Sequence, residues 1–208
     1  GFLFDKEAWI SLSKEVEINL ITYKSELDNL ILDNQSLFSK FIKNGEQLGM
    51  FGVVERQVKI NWDSPLQIKK VFKTIGLDIE STNEKVISTY QDKYPLVKKF
   101  IDYKKEAKLL STYGLSFLEN INPITKRIHT DFWQIKETNR VSSNKPNLQN
   151  IPANNKYLNC FIAPKGSKII GIDYSGQEAK IAACGSKEAV WLNTFKEGKD
   201  LHSEVCKM

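Results

Sequence analysis

The sequence predicts an α+β fold: a helical first part over residues 1–125 and a mixed second part over 126–208 that holds a small antiparallel sheet. Two observations predict it. Apolar residues recur every three or four positions along two long stretches, 9–30 and 96–110. From Ile128 onward the texture changes to short apolar segments divided by turn formers. Neither part contains an internal repeat or a low-complexity tract. With 208 residues, 41% of them hydrophobic, the chain is long enough to bury a core.

The first helix is carried by Trp9, Leu12, Val16, Leu20, Tyr23, Leu27 and Leu30, with Asp5 placed to cap it. At 1.5 Å per residue it would be about 40 Å long, which suits an arm or a helix packed along another. Residues 34–59 are less regular, with Gly45, Gly49 and Gly52 as breakers. In "INWDSPLQIKKVFKTIGL" a turn at Asp63, Ser64 and Pro65 leads into a short helix ending near Gly76. A second strong helix starts near Pro95, with Leu96, Phe100, Tyr103, Ala107 and Leu110 as its apolar stripe. Another face of that helix carries Lys104, Lys108 and Thr112 at i, i+4, i+8, with Ser111 beside them. Such a row suits a phosphate backbone, and equally a solvated helix face. The change of texture between the two parts falls near Glu119 to Lys126. Beyond it, "RIHTDFWQI" alternates like a strand, "SSNKPNLQNIP" is dense in turn formers, and "SKIIGID" reads as a short buried strand.

Composition narrows the function. No apolar run approaches the ~18 residues that span a bilayer, and "GFLFDKEAW" lacks the cationic-then-apolar order of a signal peptide. A soluble, cytoplasmic protein without a membrane partner is expected. The three cysteines, Cys160, Cys184 and Cys206, are too far apart for a CxxC pair, so reduced thiols and no zinc site are expected. The net charge is +5, unevenly spread. Residues 1–35 carry three Lys against seven acids, residues 85–108 seven Lys against three acids, and residues 126–145 five basic against two acidic. Positive charge concentrated mid-chain suits a polyanion such as nucleic acid.

Asp173 closes the predicted strand, where a stiff backbone would hold its carboxylate out. Mg²⁺ takes one or two carboxylates and completes its shell with water and phosphate oxygens, so the position suits a metal. A turn or a cap would use the same residue. Ser175 and Glu178 fit the S-x-x-E capping box of a helix "QEAKIAA", while the same spacing puts Glu178 one helical turn from Asp173.

Upstream of Asp173 stands "TNRVSSNKPNLQNIP", Thr138 to Pro152. This segment and "DYSGQEAKIAACGS" resemble two signature segments of family A DNA polymerases, "TGRLSSxxPNLQNIP" and the motif A pattern "DYSQIELRxxAHxS". Weaker similarity extends to "GFLFD", "INWDSPLQIKKVF", "DYKKEAKLLSTY", "ITKRIHTDFWQ" and "FKEGKDLH". The resemblance implies a thumb over residues 1–125 and the first part of a palm over 126–208, ending where fingers begin. It implies that Asp173 is a catalytic carboxylate binding two Mg²⁺ ions, with the Tyr174 carbonyl lent to one of them. It makes Tyr174, Ser175, Gly176, Gln177 and Glu178 nucleotide-binding, with Glu178 against the sugar of the incoming dNTP; His202 would approach the triphosphate in the full enzyme, or equally be a surface histidine. Arg140 would reach the minor groove at the primer terminus, with Asn147 and Gln149 as further duplex contacts. Lys104, Lys108, Ser111 and Thr112 would grip phosphates of primer–template DNA.

The chain departs from the family pattern at Gly176 for the usual Gln, at Gln177 and Ala179 for large apolar residues, at Lys180 for Arg, and at Cys184–Gly185 for His and an apolar residue. Some phage relatives share the Gly. The resemblance also puts the fingers helix and a second palm carboxylate downstream of Met208. The chain alone is therefore expected to be inactive: an expressed fragment, a truncated product, or one piece of a split enzyme whose second chain supplies the rest. Two alternatives use the same residues. A non-catalytic DNA-binding module needs only the basic surfaces. An RNase H-like nuclease would need further strands directly after "IIGIDYS", where the sequence reads as helix.

Overall fold

The computed structural model describes residues 1–44, 56–135, 137–138 and 140–206. Gly45, Gly49 and Gly52 lie outside them. The chain divides into two compact units, Gly1–Lys165 and Gly166–Met208.

The first unit opens with strand β1 (Phe2–Phe4) and helix α1 (Lys6–Asp33). The Asp5 carboxylate accepts from Ala8 N at 2.9 Å, so the predicted N-cap is in place. α1 is 28 residues long; Trp9, Leu12, Val16 and Leu27 of the predicted stripe are buried, Leu20, Tyr23 and Leu30 are half-buried, and Ile31, outside the stripe, is buried as well. Short helix α2 (Gln35–Phe38) follows, and an antiparallel pair of strands, β2 (Ile42–Asn44) with β3 (Arg56–Val58), comes next. Helix α3 (Pro65–Thr74) starts as expected, with the Ser64 hydroxyl accepting from Gln67 N and Pro65 at the first position. It stops before Gly76, whose φ of +82° is the left-handed conformation glycine accepts without strain. After α4 (Glu84–Ile87) comes α5 (Pro95–Tyr113), packed along α1.

Two cores hold this unit. One gathers Leu27, Ile31, Trp62, Ile68, Phe72, Val97 and Phe100 where α1, α3 and α5 meet. The other gathers Phe4, Trp9, Leu12, Phe117, Ile128, Tyr157 and Cys160. Trp9 is its centre, stacked on Phe117 at 4.6 Å, with its indole N–H donating to Gly114 O at 3.3 Å. At Gly114 a Cβ would lie 2.3 Å from Leu110 O, so the helix end leaves no room for a side chain.

The remaining elements of the first unit are β4 (Arg127–Ile128), β5 (Asp131–Trp133), β6 (Ser142–Asn144), α6 (Asn155–Leu158) and β7 (Phe161–Ile162). β1 lies between β4 and β7, antiparallel to both, with Phe2 opposite Ile128 and Phe4 opposite Phe161. This is the small antiparallel sheet the sequence predicts, completed by the first residues of the chain. β5 and β6 form a separate antiparallel ribbon, Trp133 opposite Ser142.

The second unit holds helices α7 (Gln177–Ser186), α8 (Ala189–Lys196) and α9 (Leu201–Val205). Asp200 caps α9, accepting from Ser203 N and Oγ at 2.8 Å each, and these bonds lower its carboxyl pKa. Two expectations fail here. Residues 167–173 form no strand, and Ile169, Ile170 and Ile172 are 51%, 79% and 84% exposed. A strand is held by cross-strand partners, and among the described residues none pairs with this segment. The capping box is also replaced: Gly176, at φ +63°, takes the N-cap position of α7, which leaves Ser175 outside the helix.

Candidate nucleic-acid interface

The segment 140–150 is held by its own hydrogen bonds. Ser143, 1% exposed, is the hub. Its hydroxyl accepts from Leu148 N at 3.0 Å, donates to Pro146 O at 3.2 Å, and lies 2.7 Å from the Thr130 hydroxyl. The Gln149 amide spans the turn, accepting from Ser143 N at 3.2 Å and donating to Val141 O at 2.9 Å. Asn147 Oδ1 accepts from Gln149 N at 3.0 Å and caps the 3₁₀ turn Leu148–Asn150. Exposed Arg140 stands at the entrance to this braced loop, two residues before β6. Apart from the Ser142 hydroxyl, which is buried without a partner, the buried polar side chains of the loop are bonded locally, which favours a loop of fixed shape.

The cation row on α5 divides. Lys104 is half-buried, and its ammonium donates to Thr82 O at 2.6 Å, tying down the turn before α4. Lys105 lies 3.5 Å from Glu84. Lys108, Ser111 and Thr112 are exposed, with Ser111 Oγ donating to Lys108 O at 3.1 Å. An open groove of about 680 Å³ runs past Asn83, Glu84, Lys104, Lys105, Lys108 and Ser111. Thr112 and Asn147, far apart in sequence, line one smaller hollow of about 230 Å³ with Tyr113 and Asn150. The Tyr113 hydroxyl donates to Asn150 O and pins the loop to the end of α5.

Behind these surfaces, between α1 and α5, burial raises the Glu106 carboxyl above its ordinary value; the Asn19 amide opposes this, and Glu15 and Asp102 add to it. Burial and the nearby Glu106 push the Tyr157 phenol up to about 12.

In the second unit, Asp173 is exposed and Tyr174 is 73% exposed. The Tyr174 carbonyl accepts from Gln177 N at 3.3 Å, which leaves that oxygen a second lone pair. Gln177 and Glu178 form the first turn of α7, where the helix dipole favours anions. His202 is exposed on α9. Among the described residues no three His, Cys, Asp or Glu side chains stand close enough to enclose a metal ion. One exposed carboxylate beside a backbone carbonyl fits part of a Mg²⁺ shell, whose other ligands are water and phosphate.

The family model for DNA polymerase family A matches residues 34–208. The chain belongs to that family. It is 34% identical over 160 residues to DNA polymerase I of Borreliella burgdorferi, which covers 71% of the chain and 18% of that protein. It is 35% identical over 145 residues to the thermostable DNA polymerase I of Thermus aquaticus, covering 67% of the chain and 17% of that protein. With DNA polymerase I of Caldicellulosiruptor bescii the match is 29% over 218 aligned positions, 99% of the chain and 23% of the relative. The chain therefore spans about a fifth of the length of these polymerases. In fold it is similar to the POL domain of Pol1 from M. smegmatis in complex with DNA primer-template and dNTP, with a TM-score of 0.73, 23% identity, and coverage of 99% of the chain and 34% of that domain.

Sequence reasoning missed Ser143 and Thr130, which organise the 140–150 loop. Their hydroxyls act on backbone atoms that only the folded turn assembles, so spacing carries no sign of them.

Proposed function

We propose that the chain is the duplex-gripping part of a template-directed DNA polymerase, acting in DNA replication or repair in the cytoplasm. Residues 1–125 are read as thumb and 126–208 as the first part of the palm. The observation that carries this reading is the braced 140–150 loop, which presents Arg140 and Asn147 and shares a hollow with Thr112 of α5. A loop of fixed shape suits recognition of the minor groove, where acceptor atoms lie in similar places for every base pair. Lys108 supplies a cation and Thr112 a neutral donor for phosphates, and the Ser111 hydroxyl beside them would have to turn from Lys108 O to add a second donor.

Asp173 and the Tyr174 carbonyl would hold Mg²⁺, which when bound supplies activation of a primer 3′-hydroxyl and neutralises a leaving pyrophosphate. The chain's own groups would position the dNTP: Tyr174, Ser175, Gly176 and Gln177 beneath it, Glu178 against its sugar, and His202 toward its triphosphate. The second carboxylate and the fingers would come from the rest of the polymerase or from a second chain. In the complete polymerase, Asp173→Ala is expected to abolish Mg²⁺-dependent primer extension, while primer–template binding measured by filter retention stays within about twofold. Retained extension overturns the assignment.

A further inference from the structure

We infer that Trp133 is a stacking platform for an unpaired base of the bound DNA, on the β5–β6 ribbon beside Arg140. The inference rests on the duplex-gripping reading and adds a contact that reading does not contain. Neighbouring residues of a strand point to opposite faces, so Phe132 and Trp133 occupy different faces of the ribbon. Cross-strand pairing puts Phe132 on the face of Ser143, the loop hub, and Trp133 on the face of Ser142.

The four tryptophans are used differently. Trp9 and Trp62 are buried, and their indole N–H groups donate to Gly114 O and to Asp28 Oδ1. Trp191 is half-buried in the second unit. Trp133 is 56% exposed, on a two-stranded ribbon with few residues to cover it. A single exposed apolar side chain needs no explanation. This one has company, because Phe132, Ile135 and Val141 are exposed on the same hairpin. Exposed Lys126, Arg140 and Lys145 lie near it along the chain, in a stretch with five basic residues against two acidic ones.

That combination selects the occupant. An apolar protein partner would need the aromatic surface but not the surplus of cations, whereas single-stranded DNA uses both, rings for bases and cations for phosphates. Bases within a duplex are already stacked on their neighbours. An unpaired base has faces to offer, so the indole gains most at the single-stranded part of a primer–template.

The test titrates the 208-residue chain with a primer–template carrying a single-stranded template overhang and, separately, with a blunt duplex. Affinity and the protection of tryptophan fluorescence from acrylamide are read together. Trp133→Ala is expected to weaken binding of the overhang DNA by roughly 5- to 150-fold. Blunt-duplex affinity and the salt slope should stay unchanged, since no charge is removed. Trp133→Phe keeps a ring and should retain most of the affinity. Overhang binding by Trp133→Ala equal to that of the unchanged chain overturns the inference. So does an equal loss on both DNAs, or a loss in Trp133→Phe as large as in Trp133→Ala. Failure of the unchanged chain to bind either DNA overturns the duplex-gripping reading itself, and this contact with it.

Discussion

Ser143 shows how much one small side chain can organise. A part-buried backbone N–H, a carbonyl and a second hydroxyl all converge on its oxygen. Ser143→Ala leaves the part-buried Leu148 N–H without its acceptor, which costs about 1 kcal/mol. Urea unfolding should show that loss as a lower midpoint. Arg140, Asn147, Gln149 and Asp173 to Glu178 are named by resemblance because they lie in two contiguous signatures; Ser143 and Thr130 stand in or near the first but work through geometry. Gln149 illustrates the difference, since both ends of its amide are engaged within the loop, and that use is invisible in "PNLQNIP". Tyr157 carries a pH signature. Its phenol is raised from 10.0 to about 12, so the folded state holds that proton more tightly than the unfolded chain does. The stability this contributes is fully present below pH about 10 and is lost as pH rises toward about 12. Tyr157→Phe should flatten that alkaline limb when thermal midpoints are compared across this range.

Among the elements, α1 and α5 are set by local signals: an apolar stripe of helical period, an N-cap carboxylate before α1, and Pro95 at the first position of α5. Their reading from sequence holds because each signal acts within a few residues. Residues 167–173 show the opposite case. Three isoleucines in seven residues predict a buried strand, but burial requires partner strands, and pairing is not a local property. The same non-locality hid β1, which sits between β4 and β7 in the sheet although its sequence neighbour is a helix. Trp9 couples these levels, since it belongs to α1 and packs against Phe4 of β1 and Phe117 beyond α5. Trp9→Ala should destabilise the first unit by about 3–5 kcal/mol, measured by loss of near-UV circular dichroism on heating.

At the scale of the whole chain, charge decides how it would hold DNA. The acidic balance of residues 1–35 and the basic balance of 85–108 give α1 and α5 opposite character, although the two helices pack together. A polyanion would be drawn to the α5 side, and the two lysines of the row would not be equivalent there. The Lys104 ammonium already donates to Thr82 O at 2.6 Å, so replacing it frees a backbone carbonyl and loosens the turn before α4. Lys108 is exposed and can give its charge to a phosphate. Each phosphate neutralised releases counterions, which makes the logarithm of the binding constant fall with the logarithm of salt by about 0.9 per contact. Lys108→Ala should therefore reduce the salt slope of duplex binding by about 0.9 and weaken all sequences alike. Lys104→Ala should lower the thermal midpoint, with a smaller change in slope. Fluorescence anisotropy at several salt concentrations, run beside thermal melts, separates the two. An unchanged slope in Lys108→Ala would return that lysine to the solvated face of its helix, and the duplex would have to be held elsewhere.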